Sequence, residues 1–331
     1  MMVNLVRSMT TVPTDILARN VALACRAPSY HNSQPWLWVA DRDRLHLYLD
    51  PNRVVQTDFT ERQALISCGA VLDHQGVAMA AAGWETIIDR LPDPNNLEHL
   101  ASIDFTETTA VTDGHRRRAE AIATRRTDRL PFDPVPDWDG FETLLRSRID
   151  DTVALVDVVS DAGRHELAQA NVLTNALRFY DSTYFATLHR WTAPFEASEG
   201  IPYDSLVSAT EGDRVDVGRA FPMSHHPERR EQVPVDLSTI LVISAHDDTR
   251  RDTLGCGETL STVLLEATVA GLATCTLTHL TELSASRHLV EELTGRTLPQ
   301  VLVRVGQAPV NEQFPPPTPR RPLADVLTVN L

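Results

Sequence analysis

The sequence predicts an α+β fold built from two related halves. A glycine-bounded helix occurs twice at the same length, and strand-like segments flank both copies in similar order. The 331 residues, 42% of them apolar, supply enough material for a substantial buried core without disulfides or metal. The expected halves are 1–113 and 114–331, the second carrying an insertion over about 189–234 and a C-terminal strap over 309–331.

The repeated element runs from Gly69 to Trp84 (GAVLDHQGVAMAAAGW) and from Gly257 to Leu272 (GETLSTVLLEATVAGL). Leu72 matches Leu260, Val77 matches Leu265 and Ala82 matches Ala270, the pattern of an amphipathic helix ended by glycine. Ahead of the first copy lie a helix from Thr14 to Arg26 and a strand-like Leu45 to Leu49, and a strand-like Ala101 to Phe105 follows it. Ahead of the second lie a helix from about Arg116, a strand-like Val153 to Val159, and one long helix with Leu173, Leu177, Tyr180, Tyr184 and Leu188 on a single face. A strand from Ile240 to Ser244 leads into that copy, and another from Gln300 to Gly306 comes after it.

The insertion is rich in Pro, Gly, Asp and Arg, and so long an irregular connection is usually functional or disordered. Its Trp191, Phe195, Tyr203 and Phe221 are more large aromatics than a freely solvated loop carries, which predicts that it packs on something. The tail Phe314 to Pro322 (FPPPTPRRP) is expected to be extended, either as an exposed proline-rich ligand or, more commonly, packed on the protein's own body.

A formal net charge of −15 repels phosphodiester backbones and anionic lipid surfaces, which argues against nucleic-acid and membrane partners. Met1 to Asn20 has no unbroken apolar run of the signal-peptide kind, and no run approaches the ~20 apolar residues of a membrane helix. Cys25, Cys68, Cys256 and Cys275 lie far apart, with no C-x-x-C pair, and read as reduced thiols of a cytoplasmic protein. A metal hydrolase around His225, His226 and His279 is disfavoured, because no H-E-x-x-H or similar spacing is present.

Three motifs carry chemistry-bearing side chains. Arg26 to Trp36 reads RAPSYHNSQPW, in which Pro28 stops a helix and Ser29, Asn32, Ser33 and Gln34 crowd short hydrogen-bonding groups into a tight loop. Such a loop can grip the edge of a planar polar ligand; taken alone it fits a self-satisfied turn equally well. Arg125 to Phe132 reads RRTDRLPF, and Arg125, Arg126, Arg129 and the Thr127 hydroxyl suit a phosphate dianion. By itself that cluster also fits a solvated helix face with cations near its C-terminus. Arg320 and Arg321, in RRPLADVL, either reach back to the same phosphate or form a solvated basic pair.

In this order, and with the glycine helix, the motifs resemble the FMN-dependent nitroreductase family, whose signatures include PS-x-x-N-x-QPW, R-[RH]-S/T-x-[RK] and a final R-x-P-L-x-E/D-V. The first is matched at Pro28, Ser29, Asn32, Gln34, Pro35 and Trp36. More narrowly, the chain is similar along essentially its whole length to the Acg group of mycobacterial nitroreductase-like proteins. The resemblance implies a nitroreductase-like fold in which the tandem halves form a single-chain pseudo-dimer. Ordinary members are homodimers that build each flavin site across the subunit boundary. Here the first motif occurs only in the first half and the arginine motifs only in the second, which implies one FMN per chain and a monomer imitating a homodimer.

By the same resemblance, Arg125, Arg126, Thr127 and Arg129, with Arg320 or its neighbour Arg321, would hold phosphate and ribityl. Ser29 and Asn32 would approach the isoalloxazine from the opposite half. The turn Thr276, Leu277, Thr278 and His279 would pass the ring edge with backbone N–H groups near N5, where a fixed donor stabilises accumulating electron density. The family often has an acidic residue followed by Gly in that turn, and this chain departs from it with Thr278 and His279.

Two functions fit. One is an NAD(P)H-dependent oxidoreductase that passes electrons through FMN to a nitroaromatic or quinone. The other is an FMN store with little turnover, its flavin face covered by the insertion acting as a lid, and the resemblance to the Acg group favours some capping.

Overall fold

The computed structural model describes residues 11–42, 44–192, 199–222, 224–225, 227–310, 312 and 315–330. Helix α1 (Thr14–Ala24) buries Leu17, Val21 and Ala24, the stripe that its 3.6-residue period dictates. Strands β1 (Trp36–Ala40) and β2 (Leu45–Leu49) form an antiparallel hairpin in which alternate residues are buried. Helix α2 (Arg62–Ala81) follows, then β3 (Trp84–Arg90) and β4 (His99–Glu107).

The later part of the chain opens with α3 (Asp113–Thr124) and α4 (Trp138–Arg146), then β5 (Leu155–Val158), α5 (Asp161–Phe179), α6 (Ser182–Trp191) and the short α7 (Ala209–Asp213). Strand β6 (Thr239–Ser244), helix α8 (Arg250–Val269) and β7 (Ala273–Leu277) come next, followed by α9 (His279–Glu282), α10 (Ser284–Thr294), β8 (Pro299–Gly306) and β9 (Leu327–Val329).

One sheet has the order β3-β4-β2-β1-β9 and the other β5-β6-β8-β7. Numbered within their own sheets, the four strands β1–β4 and the four strands β5–β8 follow one order, with every pair antiparallel. Even the register irregularity recurs, between Leu47 and Tyr48 in one sheet and between Ile243 and Ser244 in the other.

The matched glycines explain how the sheets are joined. Helices α2 and α8 pack directly on each other, and a Cβ added to Gly69 would lie 2.0 Å from the Leu254 carbonyl oxygen. One added to Gly257 would lie 2.1 Å from the Ile66 oxygen. Only glycine lets the two backbones touch, so the sequence repeat is a packing requirement at the centre of the molecule. Helix α2 is long and apolar enough to cross a membrane by composition, but it is a core helix, buried against α8. All four cysteines are buried free thiols.

Several expectations are corrected. The single long helix is two, because the Asp181 carboxylate accepts the Tyr184 N–H at 3.0 Å and starts α6 afresh. Leu173, Leu177 and Tyr180 face solvent, Tyr180 at 86% exposure, because α5 buries Leu167, Asn171 and Thr174 instead, while Tyr184 and Leu188 on α6 are buried. The expected turn at Thr276 and Leu277 is the end of β7, and α9 begins at His279. The tail does lie on the body: β9 pairs in parallel with β1, so the strap ends on the first sheet. Phe195, His226 and Phe314 lie outside the described residues. His225 is exposed and donates its N–H to the Tyr203 hydroxyl.

Candidate functional site

Between α1 and β1 the RAPSYHNSQPW segment folds into a strained turn. His31, Asn32 and Gln34 adopt φ of 53°, 58° and 52°, a left-handed backbone that costs energy outside glycine and needs surrounding contacts to hold it. Ser29 Oγ accepts the Gln34 N–H at 3.0 Å, and Ser67 Oγ on α2 accepts the Tyr30 N–H at 3.0 Å. The Asn32 amide donates to Gly200 O at 3.0 Å and to Pro319 O at 3.2 Å, so the insertion and the strap both close on this turn.

A cavity opens beneath it. Its wall takes Ser29 and Asn32 from the turn, Arg125, Arg126, Thr127 and Arg129 from the segment after α3, Thr276 and Thr278 from the end of β7, and Arg320 from the strap. The insertion contributes Gly200, Arg219 and Phe221. Three residues expected at the site are not in the wall. Leu277 alternates away from Thr276 into the core, and His279 is fully buried with its Nε2 2.6 Å from Asn171 Oδ1. Arg321 serves the strap instead, with its guanidinium on Gln34 O and Asp325 O and 3.5 Å from the Asp50 carboxylate.

The charge pattern of the wall is unusual. Arg125 is 8% exposed, and among the described residues its guanidinium donates only to Arg26 O at 3.3 Å and leaves Nε and Nη1 buried without partners. Burial, reinforced by Arg26, pulls its pKa down to about 10. Arg320 donates to Cys25 O, Arg26 O and Ala27 O, and burial together with Arg125 and Arg26 pulls it down to about 9. Among the described residues neither has a carboxylate partner. Arg125 is the cation left short of partners, and an anion from outside the chain could complete it, whereas all three Arg320 nitrogens already donate to backbone carbonyls, Thr318 O and Pro319 O included. Among the described residues Asn32 Oδ1 and Gln63 Nε2, also on the cavity, are buried without partners.

At another part of the wall, Arg129 sits 4.9 Å over the Phe221 ring and donates to Ser205 O, its pKa lowered by burial. Arg219 is anchored from several sides: Thr278 Oγ1 at 2.9 Å, the Tyr184 hydroxyl at 2.5 Å, the Glu282 carboxylate, and the Tyr30 ring 5.3 Å below. Burial opposes ionisation of Glu282, yet the charge and hydrogen bond of Arg219 outweigh it and hold the carboxyl down to about 2. His31 is pushed down to about 3, first by burial and then by Arg219, so it is neutral. Tyr30, His31, Gln63, Arg219 and Phe221 were not singled out from sequence as site residues. The first two lay inside the quoted motif, whereas Arg219 and Phe221 depend on the path of the insertion. Among the described residues no group of three His, Cys, Asp or Glu side chains is placed to hold a metal.

No family model matches the chain. The "Putative NAD(P)H nitroreductase acg" of Mycobacterium tuberculosis is 55% identical over 322 residues, covering 97% of each chain. This chain belongs to the Acg nitroreductase family. A second M. tuberculosis protein with the same nitroreductase designation is 33% identical over 311 residues, 93% of this chain and 89% of its own. Among solved structures, FMN-dependent nitroreductase NfnB from Mycobacterium smegmatis in complex with NADPH aligns with 64% of this chain and 97% of its own, at 18% identity and a TM-score of 0.39. A nitroreductase with bound FMN from Bacteroides fragilis aligns with 60% of this chain and 91% of its own, at 15% identity and a TM-score of 0.37. Likeness at that level carries no argument about what this Acg-family chain binds.

Proposed function

We propose that the cavity holds one FMN and that the chain is an NAD(P)H-dependent flavoprotein oxidoreductase with a capped flavin face. The observation that carries this reading is the buried pair Arg125 and Arg320, two guanidinium groups without carboxylates, beside a turn that offers unpaired Asn32 Oδ1. A phosphate dianion satisfies the cations, and a planar heterocycle with both donors and acceptors suits the amides. Arg125, Arg126, Thr127, Arg129 and Arg320 would hold phosphate and ribityl, Ser29 and Asn32 would meet the ring from the other side, and Thr276 and Thr278 would line its edge. When bound, FMN supplies two-electron chemistry between a nicotinamide and a nitroaromatic or quinone acceptor. The residues bind it, orient it and exclude water.

On this reading the halves 1–113 and 114–331 act as a monomeric pseudo-dimer in the cytoplasm, with the turn from one half and the arginines from the other facing a single cofactor. Direct titration of apoprotein with FMN and with riboflavin tests it. FMN should bind at least 100-fold more tightly, in line with charged hydrogen bonds of ~1.5–3 kcal/mol each; equal affinities would remove the phosphate assignment.

A second reading, storage of FMN with little turnover, is favoured by Arg219. Its buried pair with Glu282, between Tyr184 and Tyr30, fastens the insertion across the wall as a lid. Under anaerobic conditions, NADPH or NADH should leave the bound flavin largely oxidised while dithionite bleaches it. Rapid bleaching by a nicotinamide would restore the ordinary oxidoreductase.

A further inference from the structure

Outside the cavity wall, the first sheet carries a polar cluster on the face opposite its core. In β2 the core takes Leu45, Leu47 and Leu49, which leaves His46 and Tyr48 on the other side. Register sets His46 beside Ser102 and Tyr48 beside His99, and β3 places Asp89 on the far side of Ser102. The irregularity between Leu47 and Tyr48 in this pairing accompanies a close approach of the two imidazoles. His46 Nδ1 lies 3.1 Å from His99 Nε2 and 2.9 Å from Ser102 Oγ, and Ser102 Oγ lies 3.1 Å from His99 Nε2. The His99 ring is stacked on Tyr48, with centroids 4.6 Å apart.

The tautomers follow from what surrounds the rings. The Asp41 carboxylate is 3.4 Å from His46 Nε2, which favours the proton on Nε2 and turns the Nδ1 lone pair toward the cluster. The Ala101 backbone hydrogen-bonds His99, and Asp89 and Asp93 add negative field around it. The Ser102 hydroxyl has one proton and can serve only one of two facing lone pairs. Three donor atoms about 3.0 Å apart match three cis positions around an ion with bonds of about 2.1 Å, whereas tetrahedral ligands would sit wider, at ~3.4 Å.

We propose that His46, His99 and Ser102 form a partly buried site for a borderline divalent transition metal of the Cu²⁺ or Ni²⁺ type, with Asp41 orienting His46 and water completing the coordination. The third donor is a hydroxyl, so no triad of His, Cys, Asp or Glu marks the place. Imidazole nitrogen with oxygen donors in cis geometry suits these ions, and Cu²⁺ binds more tightly than Ni²⁺. The site is independent of the flavin reading.

The test is equilibrium dialysis of the full chain against CuCl₂ and NiCl₂, with electron paramagnetic resonance of the Cu²⁺ form. Wild type should take up one more equivalent of metal than the His46→Gln/His99→Gln variant, and its Cu²⁺ spectrum should show coupling to two imidazole nitrogens. Asp41→Asn should weaken binding by about tenfold through the orientation of His46. Equal uptake by wild type and the double variant would overturn the proposal. So would a wild-type Cu²⁺ spectrum without nitrogen coupling, a result that does not depend on any variant folding.

Discussion

Replacing Arg125 with Met should push stability and cofactor affinity in opposite directions. In the absence of a ligand the guanidinium is buried, and its pKa falls from 12.5 to about 10 because burial disfavours its charge. At 1.36 kcal/mol per unit, that corresponds to about 3 kcal/mol of unfavourable burial. Methionine fills similar volume and loses one charged hydrogen bond, the 3.3 Å contact to Arg26 O, worth roughly 1.5 kcal/mol. The apoprotein should therefore be unchanged or up to about 2 kcal/mol more stable in urea melts. FMN affinity should fall by about 3–6 kcal/mol, because Nε and Nη1 are the two unpaired donors and each charged bond contributes ~1.5–3 kcal/mol. Apoprotein melts and FMN titrations on the same samples give both numbers. A variant that loses several kcal/mol of apoprotein stability while keeping its FMN affinity would show that Arg125 is a structural residue.

Arg219→Gln should cost about 3 kcal/mol, the usual penalty for stranding one member of a buried pair, and should speed both FMN release and reduction by NADPH in stopped-flow measurements. Glu282 has a folded pKa of about 2, below its unfolded value, so its contribution is complete above pH ~4.5 and is lost as pH falls toward 2. The stability gap between wild type and Glu282→Gln should accordingly shrink by about 3 kcal/mol across that window in denaturant melts. Gly257→Ala would place a Cβ 2.1 Å from Ile66 O and force α2 and α8 apart, at a cost of at least ~3 kcal/mol. In the same thermal melts Gly212→Ala, whose Cβ would meet nothing closer than 3.8 Å, should stay within about 1 kcal/mol.

The repeat of α2 and α8 was legible in their matched glycines, but Gly69 and Gly257 read as helix starts, whereas each lies seven residues inside its helix, where the two backbones touch. Strand β1 was missed because Trp36 read as the end of a motif, and β3 because Glu85, Asp89 and Arg90 dilute its alternation. The break between α5 and α6 turns on one carboxylate, Asp181, capping locally against a continuous apolar pattern. At the site, Arg125, Arg126, Thr127, Arg129 and Arg320 were recognisable by residue type and clustering. Arg321, one position along an extended strap, points to the Gln34 and Asp50 side, a distinction that two adjacent arginines do not reveal in sequence. Arg219 lies 90 residues beyond Arg129, and only the folded insertion brings it to the wall.

Whether two halves of one chain share a single flavin is read from the visible absorption spectrum of purified protein, followed by release and quantification of the chromophore. Purified protein should be yellow, or turn yellow with added FMN, and carry one FMN per polypeptide. Protein that stays colourless in excess FMN, or that takes up two flavins per chain, would contradict it.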